Sequence, residues 1–232
     1  MKNIVITGAS GGIGKAIALE LMKDKDNRLF LISRNNSLLK NLAKEIESSE
    51  AKFVLIPFDL ISDDYNKLLT EIKNITESID ILINNAGALV NKQFENILPE
   101  DYYYVMETNF RAPFFFIQHL LPLFNNNAHI VNITSMGGVQ GSVKFPGLSL
   151  YSASKGALNI LTECLAAEFS GKTVSFNSLA LGSVETPMLA QAFPGYKPKV
   201  SSSSMAEYIA WFALNANKWM NGKIIQVALS TP

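Results

Sequence analysis

A tyrosine and a lysine four positions apart, Tyr151 and Lys155, are the residues of this chain best suited to acid–base chemistry. On a helix, residues i and i+4 share a face, so the Lys155 ammonium would lie beside the Tyr151 phenol. A nearby positive charge favours the phenolate and lowers the tyrosine pKa from its reference of about 10. Such a tyrosine can give or take a proton near neutral pH. An ordinary exposed helix face would carry the same pair, so a reaction needs further evidence.

A glycine-rich turn near the N-terminus is the second chemical feature. It reads Thr7-Gly8-Ala9-Ser10-Gly11-Gly12-Ile13-Gly14, and it follows the apolar run Ile4–Ile6 and precedes a helical pattern. A strand, a turn and a helix start in this order present backbone N–H groups to a pyrophosphate. Glycines are needed because a Cβ would block the turn or the phosphate. The turn predicts a dinucleotide site, although a tight strand–helix turn without a ligand would show similar glycines.

The elements that must position these residues alternate along the whole chain. Near-continuous apolar strands indicate burial on both faces of a sheet, and strand–helix alternation implies parallel strands with right-handed crossovers. We therefore predict an α/β fold, a single-domain doubly wound (Rossmann) parallel sheet of about seven strands with helices on both faces, spanning 1–232. The predicted strands are Asn3–Thr7, Arg28–Ser33, Lys52–Pro57, Asp80–Asn84, His129–Thr134, Thr173–Ala180 and Lys223–Ala228, and the predicted helices cover about 12–24, 37–49, 62–77, 99–125, 150–170 and 204–216.

Two irregular segments, Gly137–Ser149 and Thr186–Ser203, follow the fifth and sixth predicted strands. Ligands of doubly wound sheets bind at the carboxyl ends of the strands, where both segments begin. They are the expected walls of a substrate pocket, with a substrate loop or lid over about 187–203.

Composition excludes several classes of partner. Twenty basic residues balance twenty acidic ones, so no global field favours nucleic acid or an anionic membrane. The single cysteine, Cys164, excludes an internal disulfide and a cysteine-based metal cluster, and its helical surroundings predict a buried side chain. The sequence contains no run of about 18 apolar residues, which is the length that would predict a membrane span. We expect a cytoplasmic protein with no metal, no nucleic-acid partner and no membrane partner.

Four motifs in one order resemble the short-chain dehydrogenase/reductase family in its compact form. They are the turn at 7–14, Asn84-Asn85-Ala86-Gly87 after the fourth strand, Ser135 after the fifth, and Tyr151-x-x-x-Lys155. The resemblance covers essentially the whole chain. The spacing between Ser135 and Tyr151 is longer than the family usually has, which indicates an insertion within Gly141–Ser149.

The resemblance implies a catalytic role for four residues. Tyr151 would be the general acid in reduction or the base in oxidation. Lys155 would lower the Tyr151 pKa and hydrogen-bond the nicotinamide ribose. Ser135 would orient the substrate oxygen, with neighbouring Thr134 as the weaker candidate, and Asn109 would hold a water in a proton relay to the lysine.

Cofactor choice depends on the end of the second strand, where the chain reads Ser33-Arg34-Asn35 and carries no carboxylate. An acidic residue there would bind the ribose 2′-hydroxyl of NAD, whereas an arginine accommodates a 2′-phosphate. Arg34 therefore favours NADP(H), with NAD(H) as the alternative. Gly11 stands where many NADP-preferring relatives carry a second basic residue.

The resemblance also implies the remaining cofactor contacts. Asp59 and Leu60 match the adenine contact, Asn85 the adenosine-side contact, and Val184 and Thr186 the nicotinamide carboxamide contacts. The expected cofactor-binding set is Thr7, Gly8, Ser10, Gly11, Gly12, Ile13, Gly14, Arg34, Asp59, Leu60, Asn85, Ala86, Gly87, Tyr151, Lys155, Gly182, Val184 and Thr186.

These observations predict an NADP(H)-dependent oxidoreductase that interconverts a carbonyl and a secondary alcohol of a small molecule. Two alternatives stay open: a non-catalytic NADP-binding sensor or scaffold, and an epimerase or dehydratase on the same fold. We expect a homo-oligomer, either a dimer through the helices near 99–125 and 150–170 or a tetramer.

Overall fold

The computed structural model describes residues 1–229 and contains one seven-stranded sheet in the order β3-β2-β1-β4-β5-β6-β7. Every neighbouring pair is parallel. The predicted fold class is confirmed, while residues 230–232 of the predicted domain lie outside the described part. The strands are β1 (Lys2–Thr7), β2 (Asn27–Ser33), β3 (Lys52–Pro57), β4 (Ile79–Asn84), β5 (Phe124–Ser135), β6 (Ser175–Leu181) and β7 (Lys223–Val227).

Helices bury their apolar stripes on both faces of this sheet. One hydrophobic core holds α1 (Gly12–Leu21), α2 (Asn36–Ile46) and α8 (Ser202–Asn215). The other holds α3 (Tyr65–Lys73), α5 (Ala112–Leu120) and α6 (Ser149–Glu168). The strand order reverses between β1 and β4, and that reversal opens a crevice at the carboxyl edge of a doubly wound sheet.

The helix predicted over about 99–125 is confirmed as a helical stretch over 99–123, but it is not one regular α-helix. The chain forms α4 (Pro99–Met106), a π-helical turn over Glu107–Arg111 and then α5, and a 3₁₀ turn at Leu121–Leu123 leads into β5. Pro113 has no N–H to donate to the carbonyl of Asn109, which an uninterrupted α-helix would require. The irregular turn holds Asn109, which is fully buried. Such π-turns often occur at functional sites.

A chain of buried polar side chains ties the centre of the sheet to α6. Asn84 donates to Asn132 at 2.9 Å, and Asn132 donates to Thr162 on α6 at 2.9 Å. The Thr162 hydroxyl also contacts Ser178 of β6 at 2.8 Å. Every member is buried, and buried polar groups are tolerated because they are hydrogen-bonded to one another. The chain therefore fixes how α6 sits on three adjacent strands.

The buried side chain predicted for Cys164 is wrong, because this residue is exposed. The buried face of α6 carries Leu158, Thr162 and Ala166, four residues apart, and Cys164 falls between these positions on the outer side.

Two further findings concern residues 1–229. No helix there is both long and apolar enough to cross a membrane. No group of three or more histidine, cysteine, aspartate or glutamate side chains there is arranged to hold a metal ion.

Candidate active site

The glycine turn joins β1 to α1 at the crevice. Gly8 has φ +65°, and a Cβ on Gly14 would lie 2.2 Å from the carbonyl oxygen of Gly8. These two positions therefore require glycine. Gly11 precedes α1 without a side-chain cap, and a Cβ on it would meet nothing within 4 Å. The start of α1 thus lacks a side-chain cap and has open space beside Gly11, which is the arrangement that a pyrophosphate needs.

Thr7 and the Asn-Asn-Ala-Gly segment brace this turn. The Thr7 hydroxyl oxygen accepts from the backbone N–H groups of Asn85 and Ala86, both at 3.0 Å. The Asn85 amide donates back to the carbonyls of Thr7 at 3.0 Å and Gly8 at 3.3 Å. The side chains of Thr7 and Asn85 therefore hold the ends of β1 and β4 together.

The residues predicted to contact the adenosine part of the cofactor lie at the ends of β2 and β3. Arg34 follows β2 and is exposed, and the hydroxyl of the preceding residue, Ser33, lies 2.7 Å from that of Ser10 in the glycine turn. A guanidinium fork and hydroxyls are suitable donors to a phosphate. After β3, Asp59 accepts from the backbone N–H of Ile61 at 2.9 Å, and the Leu60 carbonyl accepts from a tyrosine hydroxyl. The residues present fit a phosphorylated dinucleotide.

The segment after β6 reaches the opposite end of the turn. The Thr186 side chain lies 3.6 Å from where a Cβ on Gly12 would sit, so the two segments face each other across a short gap. Thr186 also caps α7 (Pro187–Ala192) by accepting from Leu189 N–H at 3.1 Å. Val184 is buried and pairs with Val200, and Gly182 donates to the Val227 carbonyl at 2.9 Å. These contacts hold the segment against the sheet.

The predicted lid over about 187–203 contains α7 and an irregular stretch, and α8 already begins at Ser202. A contact with the loop after β4 anchors α7, because Asn91 donates to the Ala192 carbonyl at 2.9 Å. The same loop holds the predicted wall Gly137–Ser149, since Lys92 N–H donates to the Gly147 carbonyl at 3.0 Å. The two irregular segments therefore share a support.

Ser135 and Thr134 end β5 but have different surroundings. The Thr134 hydroxyl points to the Leu179 carbonyl of β6 at 3.4 Å and is buried in the sheet. The Ser135 oxygen accepts from Gly137 N–H at 3.2 Å. Burial raises the pKa of the Tyr151 phenol, and a hydrogen bond from Ser135 partly offsets that rise. The structure thus brings Ser135, and not Thr134, to Tyr151.

Lys155 is buried, with 4% of its surface exposed. Its Nζ donates to the Ile133 carbonyl at 3.0 Å and lies 6.0 Å from the centre of the Tyr151 ring. Burial lowers the pKa of Lys155 from 10.5 to about 8. Burial of the phenol raises the Tyr151 pKa, with the hydrogen bond from Ser135 acting against that rise. The expectation that Lys155 lowers the Tyr151 pKa stays a prediction.

Asn109 joins three segments through its side chain. Its oxygen accepts from Ala88 N–H at 2.7 Å, and its nitrogen donates to the Ala88 carbonyl at 2.8 Å and to the Ser154 hydroxyl at 2.9 Å. A Cβ on Gly87 would lie 3.4 Å from Lys155 Nζ and 3.5 Å from Asn109 Oδ1. Asn109 and the lysine therefore flank the same small gap.

Sequence reasoning missed Ser154. This residue is fully buried on α6, between Tyr151 and Lys155, and its hydroxyl donates to the Tyr151 carbonyl at 2.7 Å. Its spacing from Leu158 and Thr162 places it on the buried face, a periodicity that could have marked it.

The comparisons agree with this geometry. A family model described as short chain dehydrogenase matches residues 2–197, and the chain belongs to that family of oxidoreductases. An uncharacterized oxidoreductase of Staphylococcus saprophyticus is 30% identical over 226 residues, covering 95% of this chain and 94% of that protein.

Two solved structures are similar in sequence and fold. One is the Pseudomonas aeruginosa RhlG/NADP active-site complex, with 27% identity and a TM-score of 0.86, covering 98% of this chain and 94% of that one. The other is a short chain dehydrogenase of Escherichia coli CFT073 complexed with NADPH, with 26% identity and a TM-score of 0.85, covering 97% and 95%. The crevice is thus of a kind that holds nicotinamide cofactors.

Proposed function

We propose that this protein is an NADP(H)-dependent oxidoreductase that interconverts a carbonyl and a secondary alcohol of a small molecule. The observation that carries the proposal is the convergence of Ser135, Tyr151 and Lys155 at the edge of the sheet where the glycine turn opens. Ser135 ends β5, whereas Tyr151 and Lys155 lie on successive turns of α6. A binding protein has no need of a phenol that faces a serine hydroxyl.

The preference for NADP(H) rests on the end of β2. Arg34 is exposed, and within residues 1–229 it forms no ion pair with an acidic side chain. Its guanidinium is therefore available to a 2′-phosphate. The NADP and NADPH complexes of the two similar structures support the same choice.

The uncapped start of α1 would hold the pyrophosphate, and Val184 and Thr186 would hold the carboxamide. When bound, the cofactor supplies or accepts a hydride. The Ser135 oxygen accepts from Gly137 N–H, which fixes the position of its hydroxyl, and its O–H would donate to the substrate oxygen in place of Tyr151. Tyr151 gives a proton to that oxygen during reduction and takes it back during oxidation.

Lys155 and Asn109 return the proton to Tyr151. The gap at Gly87 between Lys155 Nζ and Asn109 Oδ1 suits a relay water. The Asn109 side chain already makes three hydrogen bonds, so its main-chain carbonyl is the better acceptor for that water. Pro113 cannot donate to that carbonyl, which supports this assignment.

The predicted dimer is part of the proposal. Large apolar side chains are exposed along the helices expected to form it, including Tyr103 (62%), Phe114 (37%) and Ile160 (60%). Exposed apolar groups in such number favour an interface.

A panel of aldehydes and ketones with NADPH and NADH, followed by loss of cofactor absorbance, tests the function. The wild type should consume NADPH with at least one compound. Ser135→Ala should lower kcat by about 100-fold, as loss of an oxyanion donor does. Thr134→Val, one residue away, should stay near wild type. Equal losses in both variants, or no turnover with any carbonyl, would contradict the proposal.

A further inference from the structure

We infer that Ser154 is a positioning residue that locks the catalytic tyrosine to Asn109. The inference rests on the proposed function, because it concerns the same site. Ser154 touches no substrate or cofactor atom in this scheme. It acts through the backbone of Tyr151, to which its hydroxyl donates at 2.7 Å.

The contact that gives Ser154 this role comes from outside α6. A serine that bonds only to the carbonyl three residues earlier is a common local feature of helices. Here the Ser154 oxygen also accepts from the Asn109 amide at 2.9 Å, across 45 positions of sequence. The hydroxyl therefore links the π-helical turn to the backbone of Tyr151 through hydrogen bonds on both sides.

The link continues to the loop after β4. Asn109 makes two further hydrogen bonds to the backbone of Ala88. Ala88 directly follows Gly87, which borders the gap between Lys155 and Asn109. Ser154, Asn109 and Ala88 thus form one rigid connection from the relay gap to the tyrosine. All three are buried, so water cannot replace a lost partner cheaply.

Catalysis is sensitive to such a connection because a displacement of about 1 Å can cost about 100-fold in rate. Tyr151 must keep its hydroxyl beside that of Ser135 while Lys155 stays on the Ile133 carbonyl. Lys155 has its own anchor on β5. The Tyr151 side chain has no such anchor among the described residues except Ser135, so the position of the tyrosine relative to Asn109 depends on the contact of Ser154 with the Tyr151 carbonyl.

The chain offers a matched control on the same helix. Thr162 is also fully buried; it accepts from the Asn132 amide at 2.9 Å and donates to the Leu158 carbonyl at 2.8 Å. Thr162→Val therefore removes the same kind of hydroxyl and leaves the same kind of unpaired amide, and it also removes the contact with the Ser178 hydroxyl. It does so about 12 Å further along the helix, at 1.5 Å per residue.

The experiment compares wild type, Ser154→Ala, Ser154→Cys and Thr162→Val. Tm, kcat and KM for NADPH are measured, together with the titration of the Tyr151 ring by ¹³C NMR, assigned with Tyr151→Phe. Ser154→Ala should lower kcat at least about tenfold with little change in KM, and should raise the Tyr151 pKa as the Ser135 contact loosens. Ser154→Cys, with its weaker donor, should lie between. Thr162→Val should lower Tm comparably but leave kcat and the titration unchanged.

The inference would be overturned if Ser154→Ala lowered kcat no more than Thr162→Val does and left the Tyr151 pKa unchanged. Absence of turnover in the wild type would instead contradict the proposed function. The titration does not need turnover. In that case a rise of the Tyr151 pKa that is confined to the Ser154 variants still supports the positioning role, and an unchanged pKa rejects it.

Discussion

The two ends of the candidate site are built in opposite ways. The glycine turn presents backbone groups to open space and has few side chains of its own. The other end, which we propose to be the catalytic end, consists of buried and half-buried side chains, and Asn109, Ser154 and Lys155 each use hydrogen bonds to stay in place. A backbone-built site depends on the absence of side chains, whereas a side-chain-built site depends on every partner. Substitutions at the two ends should therefore fail for different reasons.

The sharpest contrast within the turn is between Gly14 and Gly11. In Gly14→Ala the new Cβ would lie 2.2 Å from a carbonyl oxygen and 2.4 Å from the Asn85 amide. Because backbone atoms cannot easily move away, we expect unfolding to become easier by at least about 2 kcal/mol, with loss of cofactor binding. Gly11→Ala meets nothing and should keep its melting temperature. Similar denaturation curves for the two variants would mean that the turn is not tightly built.

At the catalytic end, the protonation of Lys155 should limit activity at high pH. Its pKa lies near 8 because of burial, and the proton relay needs the ammonium form. We expect kcat for reduction to hold below pH 8 and to fall as pH rises through it. A pH profile from 6 to 10 checks this, with Lys144, an exposed lysine of the segment Gly137–Ser149, changed to Arg as a control. A profile flat to pH 10 would exclude the relay.

The adenosine end should show selectivity without loss of stability. Arg34→Ala removes charged hydrogen bonds worth about 1.5–3 kcal/mol to a 2′-phosphate, which corresponds to roughly a ten- to hundredfold weaker NADPH affinity. NADH affinity should barely change. Titrations of cofactor fluorescence with both dinucleotides measure this, and Arg28→Ala, at the far end of β2, is the control. Equal weakening of NADPH and NADH would remove the NADP(H) assignment.

His129 lies in neither end of the candidate site, and its protonation tests the stability of the sheet between the two ends. It is fully buried between the Ala213 carbonyl and the Asn177 amide, and burial lowers its pKa from 6.5 to about 4. The unfolded chain therefore binds this proton more readily than the folded one. The contribution of His129 to the free energy of unfolding is therefore fully present above pH 6.5, and it falls by up to about 3 kcal/mol towards pH 4.

Urea denaturation between pH 4 and 7 measures that slope. His129→Gln should flatten it, although at some cost in stability at pH 7. His119→Gln, which alters the chain's other histidine, should preserve it. An unchanged slope in His129→Gln would show that other groups cause the acid sensitivity.

The fold was largely predictable, because buried parallel strands leave continuous apolar runs and their order fixes the crossovers. The π-turn within the helix over 99–125 was not, since the side chain of Asn109 in that turn is held by tertiary contacts with Ala88 and Ser154. The type of each catalytic residue was readable from the motifs. The Tyr151 pKa was not, because helical spacing says nothing about how deeply the phenol is buried or that Lys155 bonds to Ile133.

The most direct test of the account is the comparison of Tyr151→Phe with wild type in NADPH-dependent reduction of an active carbonyl. Loss of the proton donor should lower kcat by about 100- to 10,000-fold. NADPH affinity, which depends chiefly on the glycine turn and Arg34, should stay within about threefold, or less than about 0.7 kcal/mol. Wild-type turnover in Tyr151→Phe would contradict the assignment of Tyr151 as the general acid.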